Sequence, residues 1–193
     1  MRIIAGKFGG RKLKVFPAKQ MRPTTDRVRE AVFSTLLGII DLENCAAIDL
    51  YAGTGSMGLE AFSRGAKPTI FIEQDKRLCH ALRENADMLG ISSGLHIING
   101  ALPSVLKRAA EVLNPKVAQR LFLIDPPYTA HPGKAIVTAL LEHDLITPLS
   151  VVVLGCPKSL NLDFSKEEFP ASVELKDHRI KTYGDTIIHF LLF

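Results

Sequence analysis

The sequence predicts an α/β fold, a doubly wound, mainly parallel, seven-stranded sheet with helices on both of its faces. The first observation is that five short apolar segments alternate with segments of helical periodicity between residues 47 and 154. The second is that residues 173–192 contain two strand-like segments around Tyr183-Gly184-Asp185, a pattern typical of an antiparallel hairpin at a sheet edge. The length of 193 residues corresponds to one domain of ordinary size.

The N-terminal elements precede that alternation. Residues 2–5 and 12–16 are expected to form two short strands around Gly9-Gly10, which together make a small β-hairpin. Apolar residues then recur on one helical face from residue 28 to residue 39, so a helix should begin near residue 25. The candidates for its N-terminal cap are Thr24, Thr25 and Asp26.

The alternating elements place strands and helices in turn along the chain. The predicted parallel strands cover residues 47–51, 69–72, 96–99, 121–124 and 151–154. The predicted helices are one that ends near residue 63 and three over residues 76–89, 103–113 and 134–142. The predicted hairpin strands cover residues 173–182 and 186–192. Parallel strands end at one common edge of the sheet, and α/β proteins bind their ligands at that edge.

Basic residues are concentrated at the start of the chain. Residues 1–30 contain nine Lys and Arg against two acidic residues, a net charge of +7, whereas the remaining residues have a net charge of −3. A basic arm on a mildly acidic body indicates a polyanionic partner such as a nucleic acid. A solvated, flexible terminus would have the same composition, so this feature alone leaves both interpretations open.

Composition argues against several other classes of protein. The apolar runs are far shorter than the roughly 20 residues that span a bilayer, and the N-terminus has no signal-peptide pattern, so no membrane association is expected. The three cysteines are widely spaced and the six histidines lack metal-ligand spacing, which predicts neither a disulfide framework nor a metal site. The cytoplasm is therefore the expected location.

A glycine loop after the first alternating strand is the first candidate binding site. Residues 49–58 read Asp-Leu-Tyr-Ala-Gly-Thr-Gly-Ser-Met-Gly, a G-x-G-x-x-G spacing that lets the backbone approach a ligand closely. This spacing fits a dinucleotide as well, but a carboxylate at Asp49 suits a cationic amino group better than a pyrophosphate. The residues expected to hold the ligand here are Asp49, Tyr51, Gly53, Thr54, Gly55 and Gly58.

An acidic residue ends the second alternating strand. Glu73 lies 15 residues after the last glycine of the loop, where a carboxylate can accept hydrogen bonds from ribose hydroxyl groups. S-adenosylmethionine and NAD both contain such a ribose, so Glu73, with its neighbour Gln74, supports a nucleoside ligand without choosing between them. Asp75 is expected to cap the following helix.

The segment Asp125-Pro126-Pro127-Tyr128 follows the fourth alternating strand and favours one chemistry. Two prolines stiffen the loop, so that the Asp125 carboxylate and the Pro126 carbonyl form a pair of fixed acceptors. Such a pair would bind both hydrogens of an exocyclic base amine and localise its lone pair for attack, and Asp125 would take the proton. The Tyr128 ring offers a stacking surface for the base. A rigid loop without chemistry is the alternative.

These motifs, with others, resemble the RsmD family of bacterial ribosomal small-subunit RNA guanine-N2 methyltransferases. The resemblance rests on residues 2–6, 22–31, 49–60, 63–66, 71–75, 125–128 and 183–186. The stretch Arg-Pro-Thr-Thr-Asp-Arg-Val-Arg-Glu-Ala at 22–31 is the most specific, since many methyltransferases share the glycine loop and the D-P-P-Y segment.

The resemblance implies a Rossmann-like class I S-adenosylmethionine-dependent methyltransferase domain over residues 21–193, preceded by a basic β-hairpin extension over residues 1–20. It implies S-adenosyl-L-methionine as cofactor, and 16S rRNA or a small-subunit assembly intermediate as the partner of a monomeric enzyme. It also places Arg22 and Thr24 near the active site, against cofactor or substrate. The sequence alone would equally allow Arg22 and Arg27 to be phosphate contacts or surface charges on a helix. The residues expected to bind the RNA substrate are Arg2, Lys7, Arg11, Lys12, Arg22, Thr24, Arg27 and Tyr128.

The chain departs from the family pattern after its third alternating strand. The family usually carries Asp or Asn before Ala-Leu, where it contacts the adenine amino group, but here Gly100 occupies that position. Either the Asn99 side chain or the backbone of Ala101 is then expected to serve as the adenine contact.

Three other functions remain as alternatives. A DNA adenine-N6 methyltransferase would use the same D-P-P-Y segment, although no segment resembles an additional domain that reads duplex sequence, which favours RNA. An NAD-dependent oxidoreductase would account for the glycine loop but not for the D-P-P-Y segment. A non-catalytic rRNA-binding assembly factor would keep the basic arm, but it would not need both Glu73 and Asp125.

Overall fold

A computed structural model describes residues 1–15, 25–113, 117–127, 132–160 and 162–193, and it confirms the predicted fold class. The strands are β1 (Cys45–Leu50), β2 (Thr69–Glu73), β3 (Leu95–Asn99), β4 (Gln119–Ile124), β5 (Ser150–Pro157), β6 (Asp177–Tyr183) and β7 (Thr186–Leu192). They form one seven-stranded sheet in the order β3-β2-β1-β4-β5-β7-β6. Strands β1 to β5 are parallel, and β7 runs antiparallel to both β5 and β6.

The helices pack on both faces of this sheet. They are α1 (Asp26–Leu36), α2 (Ser56–Ser63), α3 (Lys76–Leu89), α4 (Leu106–Val112) and α5 (Ala135–Glu142). Helices α4 and α5 share one apolar cluster with one face of the sheet, while α1, α2 and α3 cover the other face. Within the described ranges, no helix is both long and apolar enough to cross a membrane.

Two helix starts follow the capping pattern of the sequence. Thr25 caps α1, since its hydroxyl accepts a hydrogen bond from the backbone N–H of Val28 at 3.3 Å, while Thr24 lies outside the described residues. Asp75 caps α3 as expected, because its carboxylate accepts the backbone N–H of Arg77 at 2.8 Å. Helix α3 has the predicted bounds, since Asp75 caps its start and Gly90, with a φ of +72°, ends it in the left-handed conformation.

The predicted N-terminal hairpin is wrong in its extent. Within residues 1–15, the two segments form one isolated antiparallel bridge, between Arg2 and Lys12, with backbone hydrogen bonds from Ile3 to Arg11 at 2.9 Å and from Leu13 to Met1 at 3.1 Å, instead of two strands. Phe16 lies outside the described residues. The reason is that the backbone N–H groups of Ile4 and Ala5 donate to the side chain of Glu60 rather than to a partner strand.

Two other predicted elements begin later than expected. Strand β6 starts at Asp177, because residues 171–173, which follow Pro170, form a 3₁₀ turn instead of extended chain. Helix α4 starts at Leu106 rather than at residue 103, since residues 102–105 form turns.

The N-terminal segment, defined here as residues 1–15, is anchored by a buried charged network. Glu60 on α2 is fully buried, and its two carboxylate oxygens accept the N–H groups of Ile4 at 2.7 Å and Ala5 at 3.0 Å. The same carboxylate accepts a hydrogen bond from Arg64 at 2.8 Å and lies 3.8 Å from the guanidinium of Arg29.

Arg29 on α1 completes this network. Its side chain is fully buried, and it donates to the Asp26 carboxylate at 2.9 Å and to the backbone carbonyl of Arg2. The network therefore ties α1, α2 and the N-terminal segment together. Ile3, Phe8 and Leu13 add apolar contacts, since all three are buried in one cluster with residues of α2 and α3.

Replacing Glu60 with alanine is expected to lower the free energy of unfolding by about 3–5 kcal/mol, the usual cost of breaking a buried ion pair by removing one partner. The measurement is urea denaturation. The matched control is Asp177→Ala, which removes the solvent-exposed ion pair with Arg179 and should leave the free energy of unfolding almost unchanged. Equal, small effects of the two substitutions would contradict an anchoring role for Glu60.

Candidate active site

The carboxyl ends of three neighbouring strands bring the predicted site residues to one edge of the sheet. Strand β1 lies between β2 and β4, with Leu50 in register with Ile72 and with Ile124. The glycine loop, Glu73 and Asp125 therefore begin side by side. The strand order reverses between β1 and β4, and α/β sheets form a ligand crevice at that point.

The backbone of the glycine loop lies so close to neighbouring side chains that a Cβ at Gly55 or Gly58 would clash with them. Gly55 has a φ of +85°, and a Cβ there would lie 2.0 Å from the side chain of Leu82 on α3. A Cβ at Gly58 would lie 2.3 Å from the Phe71 ring and 2.9 Å from the Asp49 carboxylate. Tyr51 adopts a φ of +62° without being glycine, which marks the chain reversal after β1 as strained.

The Asp49 carboxylate closes the loop onto the start of α2. Its Oδ2 accepts the backbone N–H of Gly58 at 2.7 Å, and its side chain is only 3% exposed. Burial raises the pKa of Asp49 well above its usual value; the Gly58 N–H opposes this shift, and the nearby Asp125 and Glu73 carboxylates add to it. In a dinucleotide site, the first helical turn would offer its N–H groups to a pyrophosphate. Here a carboxylate takes one of those donors, which disfavours a dinucleotide.

Glu73 links the end of β2 to the same loop. Its Oε2 accepts the backbone N–H of Gly53 at 2.8 Å, and its Oε1 accepts that of Asp75 at 2.8 Å. Glu73 is only 8% exposed, while the neighbouring Gln74 is exposed. Contact of Glu73 with a ribose stays a prediction.

The segment after β3 shows why glycine occupies position 100. A Cβ at Gly100 would lie 2.3 Å from a methyl group of Val105, so the family's usual side chain would displace that valine. The amide of Asn99 donates to the carbonyls of Glu73 at 3.0 Å and Gln74 at 2.9 Å, which fixes it against the end of β2. Ala101 is exposed, and the adenine contact of Asn99 or Ala101 stays a prediction.

Asp125 lies directly after β4, half-buried beside β5. Gly155 on β5 provides its space, because a Cβ there would lie 3.1 Å from the Asp125 Oδ1. Pro126 is buried and Pro127 is exposed, whereas Tyr128 lies outside the described residues. Asp125 therefore packs closely against β5 and remains partly exposed.

The predicted substrate-binding residues do not all lie at this edge. Arg2, Lys7, Arg11, Lys12 and Arg27 are exposed, and Arg22 and Thr24 lie outside the described residues. The backbone N–H of Lys7 donates to the carbonyl of Ser63 at 2.7 Å, at the opposite end of α2 from the glycine loop. Arg11 donates to the carbonyl of Met88 at 3.2 Å near the end of α3. These contacts place Lys7 and Arg11 at the far ends of α2 and α3, away from the glycine loop and outside the candidate site.

Sequence reasoning missed two residues that support the site. Gly155 has no motif around it, and only its contact with Asp125 reveals why a glycine lies there. Asn85 is fully buried on α3, three residues after Leu82, and it binds the carbonyl of Thr54 in the glycine loop at 3.1 Å. A polar residue on an otherwise apolar helical face was the available signal for Asn85.

Comparison with known proteins agrees with this geometry. A family model described as "Conserved hypothetical protein 95" matches residues 1–192. The chain is 34% identical over 159 residues to the ribosomal RNA small subunit methyltransferase D of Haemophilus influenzae, covering 82% of this chain and 79% of that protein. It is 29% identical over 187 residues to the putative rRNA methyltransferase YlbH of Bacillus subtilis, covering 96% and 95%.

A solved structure shows the same fold. The putative methyltransferase YhhF from Escherichia coli superposes with a TM-score of 0.77 at 26% sequence identity. The match covers 99% of this chain and 96% of that one, so it includes both the N-terminal segment and the C-terminal hairpin.

The contacts of Gly58 generate a first prediction for the site. Gly58→Ala is expected to weaken binding of S-adenosylhomocysteine by about tenfold or more, since overpacking costs about 1–3 kcal/mol and the added methyl would displace Phe71 or Asp49. Calorimetric titration measures this affinity. The control is Gly38→Ala, where an added Cβ meets nothing closer than 3.7 Å. Unaltered binding by the Gly58 variant would contradict the cofactor role of the loop.

The buried carboxylate generates a second prediction. If a ligand ammonium group stabilises ionised Asp49, affinity for S-adenosylhomocysteine should fall as the pH is lowered below neutrality, because the raised pKa of Asp49 lets it take up a proton. Asp49→Asn keeps an acceptor for the Gly58 N–H but has no charge. This variant should bind more weakly at pH 7 and should lose the pH dependence. The same pH profile in both proteins would assign the titration to another group.

Proposed function

This chain belongs to the RsmD family, and from that premise we propose that it is an S-adenosylmethionine-dependent rRNA methyltransferase that modifies the exocyclic N2 of a guanine in 16S rRNA. Membership in this family supports methyl transfer to ribosomal RNA of the small subunit, because relatives are named ribosomal RNA small subunit methyltransferase D. The base and atom within that substrate class are the finer part of the proposal.

One observation carries the proposal: the Asp125 carboxylate lies at the strand-order reversal, on the strand next to the glycine loop. An acceptor pair at Asp125 and Pro126 is thus placed where a base amine would meet a ligand held by that loop. A structural turn would not need a half-buried carboxylate that a glycine on the neighbouring strand makes room for.

The residues of the site suit the cofactor that the family uses. Asp49, Glu73 and Asp125 are close enough that the last two raise the pKa of the first. Three carboxylates around one crevice attract a ligand with ammonium and sulfonium charges and repel a pyrophosphate. S-adenosylmethionine, when bound, would supply an activated methyl group together with its own leaving group. Asp49, through the loop, and Glu73 are the residues that would hold it.

The protein's part in the reaction is to orient and deprotonate the amine. The Asp125 carboxylate and the Pro126 carbonyl would each accept one N–H of the guanine amino group, which frees the nitrogen lone pair from the ring. As the amine nitrogen becomes methylated, the Asp125 carboxylate would accept one of its protons. Orientation of the reacting groups supplies much of the acceleration.

The proposed function is tested by mass analysis of 16S rRNA fragments from cells with and without this protein. We expect one fragment to lose the mass of a methyl group in the deletion strain, and nucleoside analysis to identify N2-methylguanosine. Identification of N6-methyladenosine in DNA instead would favour the DNA methyltransferase alternative. No change in any fragment would favour a non-catalytic assembly factor.

Asp125→Ala is expected to lower the rate of methyl transfer by about 10²–10³-fold, the scale seen when one preorganised polar group is removed. Affinity for S-adenosylhomocysteine should change far less, because this carboxylate faces the base amine. Single-turnover assays on rRNA from the deletion strain measure the rate. Asp87→Ala, an exposed acidic residue on α3, is the control and should react normally. Near-normal turnover by the Asp125 variant would contradict the mechanism.

The basic N-terminal segment is proposed to bind RNA phosphates. Deleting it would be a poor test, since Ile3, Phe8 and Leu13 belong to the core. The double substitution Lys7→Ala with Lys12→Ala should instead reduce the salt dependence of binding to a 16S rRNA transcript, by about one unit of slope for each lost contact. Lys107→Ala on the opposite face of the sheet is the control. An unchanged slope would place the RNA elsewhere.

A further inference from the structure

The buried side-chain amide of Asn85 on α3 connects the glycine loop to the N-terminal segment, which have separate roles in the proposed function. Asn85 is fully buried, and its Oδ1 accepts the backbone N–H of Lys14 at 2.8 Å. Its Nδ2 donates both to the carbonyl of Lys14 at 3.2 Å and to the carbonyl of Thr54 at 3.1 Å. One side chain therefore binds the N-terminal segment and the glycine loop at the same time.

Both partners of Asn85 are held against α3 by further contacts. On the loop side, Thr54 is 2% exposed, and the next residue, Gly55, lies so close to Leu82 of α3 that no Cβ fits between them. On the side of the N-terminal segment, Leu13 shares an apolar cluster with Leu82. Arg11 reaches the end of the same helix at the carbonyl of Met88. Helix α3 is thus the common support of the loop and the segment.

We propose that Asn85 is a positioning residue that couples the cofactor loop to the basic N-terminal segment, so that cofactor binding and RNA binding strengthen each other. This inference rests on the proposed function, in which the loop holds the cofactor and the segment contacts RNA. The physical basis is that the buried amide is fully paired only when loop and segment both occupy these positions. Displacement of either one leaves a buried polar group without its partner, which is costly.

The coupling acts in both directions. A cofactor that orders the loop fixes the Thr54 carbonyl, and through Asn85 it fixes the backbone of Lys14. RNA that holds the segment stabilises the same arrangement from the other side, because coupling between two sites is reciprocal. A residue that only stabilises the fold behaves differently. Thr69 on β2 is also fully buried, but its hydroxyl donates to the carbonyl of Ala66, only three residues away.

The test is hydrogen exchange at the Lys14 amide, with S-adenosylhomocysteine as the probe and no RNA present. In the wild-type protein, saturating S-adenosylhomocysteine should slow exchange of this amide by about fivefold or more, the lower end of typical coupling between sites. In Asn85→Ala, the amide exchanges faster from the outset, and the ratio between bound and free protein should fall to about one. The control Thr69→Ala should lose stability but keep the wild-type ratio.

The outcomes separate the coupling from the function on which it rests. Calorimetry on the same samples shows whether S-adenosylhomocysteine binds, and a wild-type protein that fails to bind it would overturn both proposals. Binding without slower exchange at Lys14 would overturn the coupling alone, and this comparison requires no variant. An unchanged ratio in Asn85→Ala, or in Asn85→Asp if the alanine variant does not fold, would also overturn it.

Discussion

The hydrogen bond between the Gly58 N–H and the Asp49 carboxylate is the contact on which the site depends. It connects the end of β1 to the first turn of α2, and it leaves no room for a side chain at position 58. Because the carboxylate is buried there, its negative charge is only partly compensated, and its pKa rises accordingly. This hydrogen bond therefore determines both the shape of the loop and the sign of the charge next to a bound ligand.

Helix α2 connects this hydrogen-bonded loop to the N-terminal segment. Gly58 in its first turn belongs to the site, whereas Glu60, two residues later, holds the N-terminal segment through the backbone of Ile4 and Ala5. Asn85 on α3 then links the same segment to the glycine loop through hydrogen bonds to Lys14 and Thr54. The N-terminal segment is thus held against the rest of the protein by the side chains of Glu60, Arg29 and Asn85, although in sequence it looks like a loose arm.

The fold, and the positions of the candidate site residues at strand ends, could be predicted because their signals are local. The apolar periodicity of α3, the caps at Thr25 and Asp75, and the positions of Glu73 and Asp125 at strand ends all follow from residues close in sequence. The N-terminal hairpin could not be corrected from sequence, because the partner of Ile4 and Ala5 is a carboxylate 55 or more residues away.

The two supporting residues that the sequence did not reveal also depend on contacts between residues far apart in sequence. Gly155 leaves the space that Asp125 occupies after the neighbouring strand β4. The role of Asn85 is visible only from its hydrogen bonds to Lys14 and Thr54. The departure at Gly100 has a nearer cause, since Val105 fills the space five residues later, but that contact depends on how the chain turns before α4.

The distribution of charge determines how an RNA substrate can be accommodated. Three carboxylates surround the crevice, so a polyanion is repelled from the place where its base must react. Under the proposed function, the attraction would come from elsewhere, and the exposed cations of the N-terminal segment are the candidates for it. Binding energy gained at a distance from the reacting atoms would then hold the base amine against Asp125. Under the proposed function, an anionic crevice and a separate basic surface would let one small domain hold a cationic cofactor and an anionic substrate together.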